Sequence, residues 1–358
     1  MVHSFIESER EETHVAAIEQ MGISVKTVLR RPSPPRDLLF AKPLEHFEYC
    51  SEVMCAQVRE TLDKQQIDVL QAEYLQMAQH VPRYAPVFKI LTEHEIQFAN
   101  AYETFKRPAS LPRKIGRFYD WMAQFNYEVR ICRRFDRVVC MTEADLETLE
   151  KYVDSRRLRA VPIGVDCEYF RPEEYVEQAS GPPRVLFVGN YRHLPNRETV
   201  YHFAEDILPR IHQTLPLTEF DVVGGNVHLL DHRRLEHSGR VNLIGLVEDV
   251  RPYYQRADVF VAPIHSGNGM RVKVLEACAM GKAIVTSALG VQGFALGKGE
   301  NFLVADAPEE FALATLQLLE NPYSRYQMGM NARQMVRQKY DWQVIGPQFL
   351  ELVESRDA

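Results

Sequence analysis

The chain has 358 residues, 46% hydrophobic and 25% charged, with a net charge of −7. That length suits two domains better than one core, and the composition is that of a soluble globular protein. The acidic balance argues against a nucleic-acid partner, no apolar stretch approaches the ~20 residues of a membrane helix, and Met1 to Arg10 lacks a signal-peptide pattern.

From the amino end, Val2–Ile6 reads as a strand, Glu11–Met21 as a helix stopped by Gly22, and Ile23–Leu29 as a second strand. A helix near Cys50–Lys64, an apolar Val69-Leu70 strand, a strand at Phe88–Thr92, a long helical segment around Gly116–Arg133 and a strand at Arg137–Met141 continue the alternation. Such an order predicts a parallel sheet flanked by helices. Pro172, Gly181, Pro182 and Pro183 then break the pattern within Arg171–Arg184, as a linker between residues 1–170 and 185–339 does. The second domain opens with Val185-Leu-Phe-Val-Gly189, followed by a helix at Asn196–His212 and strands at Phe220–Val223 and Val241–Ile244. Its tail, residues 340–358, carries a helix striped by Trp342, Val344, Ile345, Phe349, Leu350 and Val353, suited to packing back across both domains. The six cysteines, Cys50, Cys55, Cys132, Cys140, Cys167 and Cys278, form no C-x-x-C pair, which fits reduced thiols in the cytosol.

The densest reading lies between Val259 and Ser287. Val259–Ala262 is a short buried strand, Gly267 and Gly269 bracket Asn268, and Met270, Arg271 and Lys273 lead into a helix through Leu275, Glu276 and Ala279 that Gly281 ends. Glycines let backbone approach a ligand, the free N–H groups of a first helical turn point at it, and two cations stand beside them, so the segment reads as an anion site.

Four phrases in order carry a resemblance. They are Ile163-Gly-Val-Asp166 with Phe170-Arg-Pro172; Val185–Gly189 with Pro195-Asn196 and Ile207-Leu-Pro209; Gly245-Leu-Val-Glu-Asp249 with Tyr253 and Ala257-Asp258; and Gly267 through Ser287. Together they resemble the retaining glycosyltransferases of family 4, in the branch that builds exopolysaccharide or lipopolysaccharide sugars. The resemblance implies the α/β GT-B fold, two facing doubly wound Rossmann-like domains with a cleft between them, and a nucleotide-diphosphate sugar as co-substrate.

It also implies roles. Glu276 holds the ribose hydroxyls of the donor, where the bland alternative is a helix glutamate paired with Lys273 or Lys282. Arg271 and Lys273 stabilise charge on the leaving diphosphate, Gly267, Asn268, Gly269 and Met270 line the donor, and Gly189, Asn190 and Arg192 form the facing turn. Many relatives have a glutamate where this chain has Asn268, and an arginine where it has Asn190. His94, in Thr92-Glu-His-Glu95 at the end of an apolar run, corresponds to a histidine near the transferred sugar or acceptor, orienting and polarising rather than acting as nucleophile; Glu143 is placed similarly. No D-x-D sequence occurs, so neither a metal nor another cofactor is expected.

Lys106-Arg107, Arg113-Lys114 and Arg117-Phe-Tyr-Asp-Trp121 interleave cations with aromatics, a composition suited either to anionic headgroups beside a lipid-linked acceptor or to a solvated helix with Phe118 and Trp121 turned inward. Relatives begin with a strand, a glycine turn and a helix before the segment that Val2–Ile6 resembles, so the first domain is expected to lack a central strand. The reading is a metal-independent retaining glycosyltransferase, cytoplasmic or peripheral at the inner membrane face, moving a sugar from a UDP or GDP donor to a glycan or lipid-linked acceptor. Its rival is a GT-B protein that binds a nucleotide sugar, or serves as an assembly partner, without transfer.

Overall fold

Every strand pairing among the described residues of this computed structural model is parallel, as the apolar strands separated by helices require. The structure describes residues 1–31, 43, 47–173, 181–267, 269–294 and 301–355. The chain divides into two units, Met1–Val161 and Pro162–Ser355.

In the first unit, β1 (Val2–Ile6) pairs with β2 (Val25–Leu29), and β3 (Val69–Glu73), β4 (Phe88–Glu93), β5 (Arg137–Cys140) and β6 (Leu158–Ala160) form a separate sheet in that order. The single sheet expected from the alternation is therefore split. Side chains rather than backbone bonds link its halves: Phe5 of β1 and Leu70 of β3 both pack on the cluster of Val28, Met54 and Val58. Met54 and Val58 come from the helix Glu52–Lys64, whose entry is fixed by the Ser51 hydroxyl accepting the Met54 N–H at 3.2 Å. The long helix runs Leu111–Cys132, starting earlier than expected, and all its buried residues lie from Gln124 onward. There Glu128 reaches the amino end of the neighbouring helix Gln97–Lys106, which has no side-chain cap of its own, and accepts from Gln97 N (3.0 Å) and Phe98 N (2.7 Å).

Among its described residues the second unit holds one six-stranded sheet in the order β12-β11-β10-β7-β8-β9: β7 (Arg184–Val188), β8 (Glu219–Val223), β9 (Val241–Gly245), β10 (Val259–Ala262), β11 (Ala283–Thr286) and β12 (Leu303–Val304). The chain builds outward from β7 through β8 and β9, then crosses back to lay β10 on its other side. This reversal puts a crevice beyond the carboxyl ends of β7 and β10, the usual ligand position in open parallel sheets. The helix expected at Asn196–His212 starts at Leu194 and carries a π turn at Phe203–Ile207.

The units part at Val161/Pro162, ahead of the expected linker, and residues 174–180 of that segment lie outside the described residues. Local bonding accounts for this boundary. Val165 N donates to Tyr340 O at 2.8 Å and Trp342 N donates to Val165 O at 3.1 Å, fastening the Ile163-Gly-Val-Asp166 phrase to the start of the tail helix Trp342–Glu354. A Cβ on Gly164 would lie 2.8 Å from the Trp342 ring, so only glycine admits the indole. The tail helix thus belongs to the second unit.

Candidate active site

Three loops meet at the switch point of the second unit, those after β7 (from Gly189), β8 (from Gly224) and β10 (from Gly267). The first follows β7. Gly189 N donates to Val223 O at 3.0 Å, and Gly224, at φ +131°, passes so close that a Cβ there would lie 1.9 Å from Gly189 O. Asn190 organises the turn: its Oδ1 accepts from Arg192 N (3.0 Å) and Asn226 Nδ2 (2.9 Å), and its carbonyl accepts from Asn196 Nδ2 (2.7 Å). Asn190 and Arg192 are exposed at the rim, beyond a half-buried Gly189.

The third loop follows β10, the strand paired to β7. Gly267 and Gly269 have φ of +88° and +82°, the left-handed region that glycine enters without steric cost. The Arg271 guanidinium ties the turn down, Nη2 donating to Gly267 O (2.6 Å) and Nη1 to Gly269 O (2.9 Å). Asn268 lies outside the described residues, and Met270 packs half-buried on the core. The helix Val272–Ala279 then starts without a side-chain cap, which leaves its first N–H groups and the positive end of its dipole aimed at the crevice. Gly281, at φ +65°, ends it as expected.

Lys273 joins the loops. Its Nζ donates to Asn196 Oδ1 at 2.6 Å and lies 4.4 Å from the centroid of the Phe187 ring. A Cβ on Gly189 would come within 3.3 Å of it. Burial, and secondarily the Arg271 charge, pull this ammonium down to about 7. One turn on, Glu276 Oε2 accepts from the hydroxyl of the fully buried Tyr254 at 3.1 Å. Burial raises the Glu276 carboxyl above its ordinary range, opposed by that hydrogen bond and by Lys273. The alternative pairing with Lys282 does not occur: Lys282 Nζ donates instead to Gln255 O and Ala257 O, each at 3.0 Å.

The first unit carries a second constellation, where adjacent β3 and β4 end. His94 Nε2 bonds Glu73 Oε2 at 2.8 Å, and its ring stacks on Tyr74 with centroids 3.8 Å apart and planes 17° from parallel. Glu73 Oε1 also accepts from the Thr92 hydroxyl at 3.1 Å and from the Gln71 amide. Beneath lies a buried acid pair, Glu93 and Glu128; burial and mutual repulsion raise the Glu93 carboxyl, which accepts from the Cys132 thiol. Glu143 is exposed at the start of its helix Glu143–Glu150. Sequence reasoning missed Glu73, Tyr74 and Tyr254, and quoted Asn196 without giving it a role; Gly224-Gly225-Asn226 carried a turn signal after a strand and went unused.

Among the described residues, no group of three or more His, Cys, Asp or Glu is arranged to hold a metal ion, and no helix is long and apolar enough to cross a membrane. Residues 182–321, which contain all three loops, match the family described as Glycosyl transferases group 1. Over 204 residues the chain is 28% identical to the phosphatidyl-myo-inositol mannosyltransferase of Mycolicibacterium smegmatis, covering 54% of this chain and 51% of that protein. The chain thus spans about half the length of that curated relative. Among solved structures, sucrose-phosphate synthase from Thermosynechococcus elongatus superposes with a TM-score of 0.72 at 17% identity, covering 99% of this chain and 98% of that one. HepE of Anabaena, solved with UDP-glucose, superposes with a TM-score of 0.72 at 14% identity, covering 99% of each chain. The chain therefore has the two-unit parallel α/β fold of the GT-B glycosyltransferases, and residues 182–321 of its second unit match the Glycosyl transferases group 1 family.

Proposed function

We propose that the protein is a retaining, metal-independent glycosyltransferase that moves a sugar from a UDP or GDP donor to a growing surface glycan. One observation carries this reading: a buried lysine held by Asn196, an uncapped helix start and a buried carboxylate converge at a single switch point, the groups that a diphosphate and a ribose need. The diphosphate seats on the first N–H groups of Val272–Ala279, and its charge keeps the Lys273 ammonium protonated. Tyr254 engages Glu276 Oε2, which turns the carboxylate to accept ribose hydroxyls. As the glycosidic bond breaks, negative charge grows on the leaving phosphate, so Lys273 and the helix dipole bind the transition state more strongly than the ground state. Arg271 holds the glycine turn and adds its charge to the same field. Retention follows if the departing phosphate takes the proton of an acceptor arriving on the face it leaves; in the first unit, His94 is assigned the orienting of an acceptor hydroxyl.

A panel of UDP- and GDP-sugars, assayed for binding, hydrolysis and transfer with Glu276→Ala as control, tests the reading. Binding with turnover, weakened by the substitution, supports it. The split sheet of the first unit favours a second reading, a nucleotide-sugar binder without transfer, and binding with no turnover in any acceptor mixture would select it. Failure to bind any donor sinks both.

The membrane contact belongs to the same proposal, at a cytoplasmic surface. Leu111, Ile115, Phe118 and Tyr119 are all exposed and fall at i, i+4, i+7 and i+8 of one helix, so the apolar stripe faces out, while Trp121 packs among Tyr102 and Phe105. Five cations (Lys106, Arg107, Arg113, Lys114 and Arg117) flank that stripe in a chain of net charge −7, which suits anionic headgroups. Co-sedimentation with anionic vesicles, lost in Ile115→Ser/Phe118→Ser, is the expected result; equal sedimentation with neutral vesicles contradicts it.

A further inference from the structure

We infer that Tyr74, stacked on His94, is a platform for a pyranose ring of the acceptor, with Glu73 as its positioning residue. The inference rests on the transferase reading but on different residues, all within the first unit.

The backbone of Tyr74 is the first observation. Among the described residues only Tyr74 (φ +67°) and Asn226 (φ +65°) enter the left-handed region without being glycine. Asparagine is at home there, whereas a bulky aromatic is an outlier, and glycines occupy the eight other positive-φ positions among the described residues. The conformation is held from both sides: Tyr74 N donates to Thr92 O and Met77 N donates to Tyr74 O, each at 3.0 Å. A strained residue kept where glycine fits without cost points to use of its side chain.

The side chain is presented, not buried. Tyr74 remains 53% exposed although His94 stacks on one ring face at 3.8 Å, so much of its side chain is accessible. Glu73 keeps the imidazole in that plane. Its Oε2 takes the Nε2 bond while Thr92 and Gln71 hold its Oε1, so the carboxylate cannot swing away. The phenol of Tyr74 is raised by partial burial and then by the nearby Glu73 and Glu95 charges, which places hydrogen-bond acceptors around the ring. An exposed aromatic ring beside carboxylates is the chemistry that recognises a sugar: polarised ring C–H groups meet a negative ring face, and hydroxyls donate to the carboxylates. The position, at the carboxyl ends of adjacent parallel strands, is where such folds bind ligands.

The test uses Tyr74→Gly and Tyr74→Phe in the full chain, with methyl α-D-mannopyranoside, methyl β-D-glucopyranoside and methyl β-D-galactopyranoside as probes. Saturation transferred from protein to the sugar C–H protons is read by ligand-observed NMR, UDP binding by calorimetry, and stability by thermal unfolding. The expected result is saturation of one sugar face in the wild type and in Tyr74→Phe, and a loss of at least tenfold in Tyr74→Gly. UDP affinity stays unchanged, and the unfolding temperature is equal or higher because the backbone is relieved. Glu73→Gln is expected to weaken the same signal while leaving the fold intact. Saturation that persists in Tyr74→Gly, or is absent from the wild type with all three probes, overturns the inference. So does a loss of UDP binding, which would make the ring a nucleotide contact, or a marked fall in unfolding temperature, which would make it structural. Failure of donor binding would remove the transferase reading and leave these sugar signals to be judged alone.

Discussion

Lys273 should change its protonation when the donor arrives. Free, its ammonium titrates at about 7, so at pH 7 about half of the molecules carry the charge and at pH 9 about one in a hundred. A diphosphate beside it restores the ordinary lysine value near ~10.4 or above, and binding then takes up a proton. The linkage gives the sign: the Lys273 contribution to affinity is full below pH 7 and falls as pH rises toward the bound value. Between pH 7 and 9 the dissociation constant for UDP weakens roughly 50-fold, about 2.3 kcal/mol. With a second pKa of ~6, the phosphate is already about nine-tenths ionised at pH 7 and adds little to the slope. Calorimetric titration of UDP at several pH values, each in two buffers of different ionisation enthalpy, measures both the slope and the proton. Lys273→Gln should bind UDP as weakly at pH 7 as the wild type does at high pH, with no slope. A flat wild-type profile, or an equal slope in Lys273→Gln, refutes the reasoning.

Tyr254→Phe removes the hydrogen bond that holds the Glu276 carboxyl down, so that carboxyl rises further. Because the ionised form accepts the ribose hydroxyls, donor affinity should fall by about tenfold, the value of roughly one charged hydrogen bond, and the loss on acidification should begin at higher pH; uridine binding against pH in both proteins checks this. Gly224→Ala would drive a Cβ into Gly189 O on a backbone L side chains rarely adopt, and denaturant unfolding should show a loss of ~3 kcal/mol or more. A loss under about 1 kcal/mol would mean that the two loops part easily.

Much of the second unit was legible because its signals are local. An apolar run bounded by Gly189, another ending before Gly267, and Gly281 closing a helix each state an element and its end within a few residues. Only the strand order brings those loops together, and that order follows from the crossover between β9 and β10, which a doubly wound pattern implies. Contacts made across the sheet were not legible. Tyr74 meets His94 because β3 and β4 are neighbours and because Tyr74 turns into the left-handed region, neither of which its own segment announces. Glu128 likewise looks like an ordinary helix residue in sequence, yet it caps another helix from inside the core. Neither the split of the first unit's sheet nor the shared cluster of Val28, Met54 and Val58 that links its halves was foreseen from the alternation of elements.

The central claim is transfer with retention, and the fate of the anomeric carbon tests it most directly. UDP-glucose and GDP-mannose carrying 13C at that carbon, incubated with the protein and a mixture of oligosaccharide acceptors, can be followed by NMR. The account predicts a new glycoside with the donor's α configuration, formed without added metal and abolished in Glu276→Ala. A β-linked product, or bound donor that never turns over, would contradict it.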